Sequence, residues 1–427
     1  MRFSSVASVF LVIALSAHAQ FVLTDDSICR HTLLSTYEAR TAFLDTINAP
    51  LYEFIAAGET EYYPRSTVNP VKILSVRKQE GAYILFIPGY KGSYPLDSPG
   101  TWVIKRSLED GSFVQAKIFL GGSPDNAIRI YPDGNISRMD ISIMGAELKK
   151  ALFIRQSFGE VLSMSLDTLI SETSEQVDWQ AILPPPDNTL CKNIKNMADS
   201  ILANISFFPD ADDGALDEKG HFVFISDKKP LPKPGFNCSG FAKWVGDSIS
   251  YSLTGKLLRI DELKQRLTGL RGTPMSEIYE EIRDPYFGLD WTRNLAYKIN
   301  SLLGLGNPTS KEAWDVRTLY SLRYIEDKGY RAEQLYQALY LAAIEYPGYF
   351  FLGSVNGYWG KDPVLWQHYH VAAFFPYFDD DGKFHVAVVE RNRSTALSAF
   401  IKRYPDNYVH LVRVKAPQTF IPYMPWK

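Results

Sequence analysis

The sequence predicts an α+β protein: a β-rich N-terminal part, then a mixed part with helices in its middle and strands at its end. Three observations predict it. Between residues 71 and 142, short runs of β-branched and aromatic residues are separated by Gly, Pro, Asn and Asp. From about 250 to 345, apolar residues fall at helical spacing between Gly or Pro breaks. After Pro363 the strand-like texture returns. At 46% hydrophobic and 22% charged, the chain has ordinary globular composition, which leaves out wholesale disorder and a coiled coil.

The elements follow in order. Ile28, Leu33, Tyr37, Ala42 and Leu44 share one broad stripe, so a helix is expected over 25–47. The runs 71–78, 82–88, 101–106, 112–120, 127–132 and 136–142 read as antiparallel strands and hairpins, with the turn PDGN at 132–135. Pro184, Pro185 and Pro186 form a stiff break. That break divides a β-rich accessory domain over 20–185 from a second domain over 190–427. A helix is expected over 190–205, an acidic loop over 209–220 and a buried strand over 221–225. Further helices are expected over 259–269, 275–283, 288–303, 310–328 and 331–345. The strands 370–378, 384–390 and 408–414 close the chain, with the turn DDDGK at 379–383 between the first two.

The first residues read as an export signal. Met1-Arg2 precedes the apolar run Val6–Leu15, and Ala17-His18-Ala19 is a small-residue cleavage pattern. Cleavage after Ala19 is expected, with 1–19 removed and the mature protein outside the cytoplasm. No other apolar run is long enough to span a bilayer, so no integral membrane segment is expected after cleavage. The net charge of −3 lacks the basic balance of a nucleic-acid binder, and nucleic acid is not an expected partner. The three cysteines are Cys29, Cys191 and Cys238. Cys29 and Cys191 either pair, leaving Cys238 over, or all three are buried thiols.

The most informative segment is Gly235-Phe236-Asn237-Cys238-Ser239-Gly240-Phe241. Asn237 is a good helix N-cap. Cys238, Phe241, Ala242, Val245 and Ile249 then repeat at helical spacing. This places Cys238 in the first turn of a buried helix, where the dipole and unpaired N–H groups favour a thiolate and a developing oxyanion. A thiolate needs a base, and histidine is the usual one. His368, His370 and His385 cluster late in the chain, on the expected hairpin. His370 is the first candidate base, and His368 is its rival two residues away on the same strand face. His385 is the first candidate orienter, with Glu390 and Asn392 as alternatives for that third place.

Asn237-Cys238-Ser239-Gly240-Phe241 followed by Trp244-Val245 resembles the nucleophile motif of the NlpC-type cell-wall peptidases, which are papain-like cysteine endopeptidases. The strand opening at His370-Val371-Ala372 and the following His385 are similar to that family's later layout. The resemblance implies a papain-like catalytic domain with Cys238 as nucleophile, His370 as general base and His385 as orienter. It implies peptidoglycan stem peptides as substrate; a peptidoglycan or peptide partner, and neither cofactor nor metal, is expected. The chain departs from the family in having Asn237 for Asp and a proline-rich approach over 228–236. The long separation of Cys238 from His370 is accounted for by a mostly helical insertion over 255–360. Two alternatives stay open: a protein peptidase, amidase or acyl transferase of the same fold, and a non-catalytic envelope binding protein.

Other signals are weaker. The Asp residues from Asp210 to Asp217 do not fit a calcium loop, because the sixth position is Ala215 rather than Gly. There is no C-x-x-C, H-E-x-x-H or phosphate-loop motif. Asp379–Asp381 read as turn chemistry, with a substrate amine as the sharper reading. The tyrosines from Tyr320 to Tyr346 read as core packing in the last two helices, or as a groove lining.

Overall fold

The computed structural model describes residues 33–185, 189–267 and 277–426. The expected export signal over 1–19, and Cys29, lie outside these residues. The described residues begin with the short helices α1 (Tyr37–Ala42), α2 (Leu44–Asn48) and α3 (Leu51–Ala56). Eight antiparallel strands follow as a meander in sequence order: β1 (Glu59–Tyr62), β2 (Val71–Lys78), β3 (Gly81–Pro88), β4 (Trp102–Arg106), β5 (Phe113–Phe119), β6 (Ala127–Asp133), β7 (Ile136–Ile143) and β8 (Ala146–Ile154). All six expected strands are present. β1 and β8 are additional, and both are mostly exposed or half-buried along their length. The hairpin at 132–135 forms with Gly134 at φ +63°, a left-handed turn conformation suited to glycine. The helices α4 (Phe158–Leu162) and α5 (Leu166–Thr173) complete this part. A Ser157–Glu160 capping box starts α4.

The second part opens with α6 (Thr189–Asn204), the two-stranded ribbon β9 (Gly214–Leu216) and β10 (Phe222–Phe224), and α7 (Cys238–Thr254). Next come α8 (Ile260–Leu263), α9 (Glu277–Arg283) and α10 (Phe287–Leu302). A six-stranded antiparallel sheet follows. Its strands are β11 (Tyr330–Arg331), β12 (Tyr349–Trp359), β13 (Leu365–Phe378), β14 (Phe384–Glu390), β15 (Arg393–Thr395) and β16 (Tyr408–Lys415). They lie in the order β11-β16-β12-β13-β14-β15. The helix α11 (Leu335–Glu345) precedes β12, and α12 (Leu397–Arg403) precedes β16.

The six-stranded sheet separates two cores. On one face, α6, α7 and α10 bury Met197, Trp244, Val245, Trp291 and Leu295 against Leu352, Val371 and Phe375. On the other face, α11 and α12 join the first sheet in one continuous cluster that runs from Leu33 through Ile104 to Phe374 and Val409. The chain before the expected break at 184–186 is therefore packed. Ile182 and Leu183 are buried, and Tyr340 Oη donates to the Ile182 carbonyl at 3.1 Å. Lys91 pairs with Asp381, Lys192 Nζ lies 3.1 Å from Asp380 Oδ1, and the Phe384 N–H donates to Gly122 O at 2.7 Å.

The region 255–360 differs from a helical insertion. β12, at its end, is a central strand paired to both β13 and β16. Residues 350–357 are all buried, so the run lacks the alternation that marks a half-exposed strand. The expected helix over 310–328 is a 3₁₀ turn, Lys311–Trp314, followed by irregular chain. Ser321 and Asp327 take positive φ there, which no α-helix accommodates. Of the helix expected over 259–269, the described residues to 267 hold only α8.

Candidate active site

Cys238 is the first residue of α7. Asn237 caps the helix, accepting the Gly240 N–H on Oδ1 at 2.7 Å. This bond leaves the N–H groups of Cys238 and Ser239 as helix-start donors without an intrahelical acceptor. The helix start is held from below by the β9 loop. The Asn237 N–H donates to Gly214 O at 3.1 Å, and a Cβ on Gly240 would lie 1.9 Å from that same oxygen. Gly240 is thus required for the loop to approach. On the far side, Trp291 Nε1 donates to Ser239 O at 3.0 Å. Within α7, Lys243 and Asp247 form a fully buried ion pair at 2.7 Å.

His370 comes to Cys238 from β13. The two side chains are in hydrogen-bonding contact, and the Val371 N–H also donates to the sulfur. Pairing of β13 with β14 ends at Ala373 and Val389, which opens the Val371 edge to the thiol. His370 Nε2 donates to Glu390 Oε2 at 2.7 Å. Glu390, at the end of β14, is 2% exposed and fully engaged. It accepts Thr395 Oγ1 at 2.7 Å on Oε1, and Arg403 Nη1 at 2.8 and 3.0 Å on its two oxygens. With Nε2 committed to the carboxylate, Nδ1 is the nitrogen left for the thiol proton.

The electrostatics agree with the geometry. Burial pushes the Cys238 thiol up, but the hydrogen bond and charge of His370, the Val371 N–H and the Arg391 charge bring it below its ordinary value. Burial alone would lower His370. Its bonds to Cys238 and Glu390 instead raise it to about 9. Burial would raise Glu390, but His370, Thr395 and Arg403 bring it down to about 2. The arrangement favours a thiolate beside an imidazolium.

The structure brings together Cys238 and His370, and it separates His385 from them. His385 pairs with Tyr377 near the hairpin turn, which is roughly 20 Å along the strand from His370 at about 3.3 Å per residue. Its Nε2 bonds Asp379 Oδ2 at 2.7 Å, and its ring stacks on Tyr377. Glu390 fills the place expected of His385. The antiparallel register explains why. The turn at 379–383 folds β14 back, so residues near 390, and not 385, come level with 370.

His368 is excluded by a bulge. Val355 faces His370 while Asn356 faces His368, so Tyr369 is an extra residue. Neighbouring positions on β12 point to opposite faces, and the two histidines therefore do not share one. His368 is buried, with Nδ1 2.9 Å from Ser354 Oγ. The turn carboxylates Asp380 and Asp381 are taken by Lys192 and Lys91, so they do not serve the site.

Aromatic rings lead to the imidazole. Trp359, 56% exposed at the end of β12, stacks on Tyr369 with centroids 4.6 Å apart. Tyr369 meets Tyr404 at 6.3 Å, and Tyr404 meets His370 at 5.9 Å. The tyrosines of the 320s do not belong to this wall. Tyr324 Oη lies 3.1 Å from His410 Nε2, in a buried network with Asp315 and Arg293. Among the described residues no group of three or more His, Cys, Asp or Glu could hold a metal ion, and no helix is long and apolar enough to cross a membrane.

A family model, Domain of unknown function (DUF8515), matches residues 30–181. The match covers the eight-stranded sheet with its flanking helices and stops before the segment that carries Cys238. No curated protein matches the chain, and no solved structure does.

Proposed function

We propose that this protein is an exported cysteine hydrolase that cleaves amide bonds through an acyl-enzyme, with Cys238 as nucleophile, His370 as general base and Glu390 as orienter. The observation that carries the reading is His370 held between the Cys238 sulfur and the Glu390 carboxylate. A buried carboxylate that accepts four hydrogen bonds, one of them from a histidine in contact with a helix-start cysteine, is costly to assemble for packing alone.

The steps follow from the geometry. The Cys238 thiolate attacks the amide carbonyl carbon, and the C=O pair moves onto oxygen. The N–H groups of Cys238 and Ser239 at the start of α7 are the donors for that oxyanion. The tetrahedral intermediate collapses by breaking the C–N bond. The His370 imidazolium gives its proton to the leaving amine, and a thioester remains on Cys238. Water then attacks the thioester while His370 takes one of its protons. The C–S bond breaks, the carboxylic acid leaves, and the Cys238 thiolate is regenerated beside the His370 imidazolium. Glu390 keeps the imidazole oriented and its charged form stable throughout.

The resemblance of residues 237–245 to the NlpC-type peptidases supports a papain-like catalytic domain and peptidoglycan stem peptides as substrate. The leader pattern at 1–19 supports a periplasmic or secreted location. The test is digestion of purified peptidoglycan sacculi, with Cys238→Ala as control and the products read by mass spectrometry. Stem peptides cut by the unaltered protein alone are the expected result. If neither protein cuts and Cys238 alkylates no faster than a free small thiol, the hydrolase reading is wrong.

A further inference from the structure

We propose that Arg391 forms an anion subsite beside Cys238, and that the substrate carries a carboxylate close to the scissile amide. The proposal rests on the hydrolase reading and adds the charge of the substrate to it.

Arg391 directly follows Glu390 and has φ +53°, a left-handed conformation that few non-glycine residues adopt. It is the first of the two residues that join β14 to β15, a tight hairpin turn that itself calls for a positive φ. Its Nη1 donates to Asp210 Oδ2 at 2.7 Å. Asp210 is fixed against the nucleophile segment. The Ala211 N–H donates to Phe236 O at 3.0 Å, and the Phe236 N–H donates to Pro209 O at 2.9 Å, two residues before Cys238. The guanidinium is thus clasped between the strand that supplies the orienting carboxylate and the segment that enters the nucleophile helix.

Its charge is already felt at the sulfur. A guanidinium has five N–H donors. Among the described residues, the bond to Asp210 is the one its side chain makes. The side chain remains 36% exposed. A structural clasp needs only the paired nitrogen. The remaining donors form a planar fork that suits a carboxylate, between the two chain segments that flank the Cys238–His370 pair. Asp210 neutralises part of the charge, which suits a carboxylate better than a dianionic phosphate.

The test uses two near-isosteric alkylating agents on the full chain, iodoacetate and iodoacetamide, with modification of Cys238 followed by peptide mass spectrometry. Both react with the thiolate, so the ratio of their rates cancels any change in thiol pKa and reports attraction of the carboxylate. The ratio at Cys238 is expected to exceed that of a small free thiol by about tenfold at low salt and to fall with added salt. His370 contributes to the ratio in every variant, so the comparison between variants isolates Arg391. In Arg391→Ala the ratio drops severalfold, and Arg391→Lys retains most of it. Asp210→Asn frees the guanidinium charge and moves the ratio the other way. An unchanged ratio in both Arg391→Ala and Asp210→Asn, with Cys238 still selectively reactive, overturns the subsite and leaves the hydrolase reading standing. A Cys238 that reacts no faster than a free thiol with either reagent overturns both.

Discussion

His370 and Glu390 lie on adjacent strands and share one hydrogen bond, Nε2 to Oε2 at 2.7 Å, which fixes which nitrogen of the imidazole faces the thiol. Removing the carboxylate charge while keeping its shape tests that link. Glu390→Gln is expected to slow alkylation of Cys238 at neutral pH and to reduce amide cleavage by on the order of 10²-fold or more. His370→Ala and Cys238→Ala are expected to abolish cleavage. Stopped-flow or quenched alkylation with iodoacetamide reads the first effect directly.

His385 provides the opposite control. It is engaged with Asp379 at the far end of the hairpin. His385→Ala should change Cys238 alkylation by no more than about twofold, a range expected for substitutions with no partner at the site. A tenfold loss would return His385 to the catalytic group.

The pH dependence follows from the shifted pair. Cys238 is lowered and His370 is raised to about 9. Iodoacetamide reactivity is therefore expected to set in at lower pH than for an ordinary thiol. A second phase follows as His370 loses its proton near pH 9. The sign is that of a raised histidine. The stabilisation is complete below an unfolded value of about 6.5 and is lost as pH rises through about 9. Glu390→Gln removes one of the raising partners, so the upper limb moves to lower pH. A profile that rises steadily like an ordinary thiol would contradict the pair.

Gly240 sets the distance between the start of β9 and the helix α7. Gly240→Ala places a methyl group into the Gly214 carbonyl, 1.9 Å from its oxygen. Backbone must move, at a cost of about 1–3 kcal/mol or more. The expected outcome is a lowered Tm together with slower Cys238 alkylation, because the same shift displaces the helix start. Retained stability and reactivity would mean that the loop is not a fixed support.

Asp315 anchors the second buried charge cluster. It lies 2.6 Å from Arg293 and 3.4 Å from His410, all fully buried. Burial would raise its carboxyl, but His410 and Arg293 more than reverse this and hold it well below the usual range. A depressed carboxyl contributes stability that is present above an unfolded value of about 3.9 and is lost as pH falls through the folded one. Asp315→Asn leaves Arg293 with only the half-exposed Asp327 and Glu312, and is expected to cost about 3–5 kcal/mol in chemical denaturation. Acid unfolding of the variant should begin from that lower baseline.

What the sequence determined by itself was local. Turn chemistry and β-branched runs located six strands of the first sheet, because half-buried strands carry their period in the residues. Asn237, the spacing after Cys238 and the return of helical period located Cys238 at its helix start. His370 stood out by the apolar run that follows it, although the strand that carries it begins five residues earlier, at Leu365. Tertiary structure decided the rest. β12 is covered on both faces, so no alternation marked it. The tyrosines of the 320s have helical spacing, yet their partners across the molecule and the positive φ at Ser321 and Asp327 hold the chain out of a helix. The choice of Glu390 over His385 and of His370 over His368 depended on a hairpin register and a one-residue bulge. A strand repeats every two residues, so one inserted residue exchanges its faces, and only the paired strands record where that residue sits.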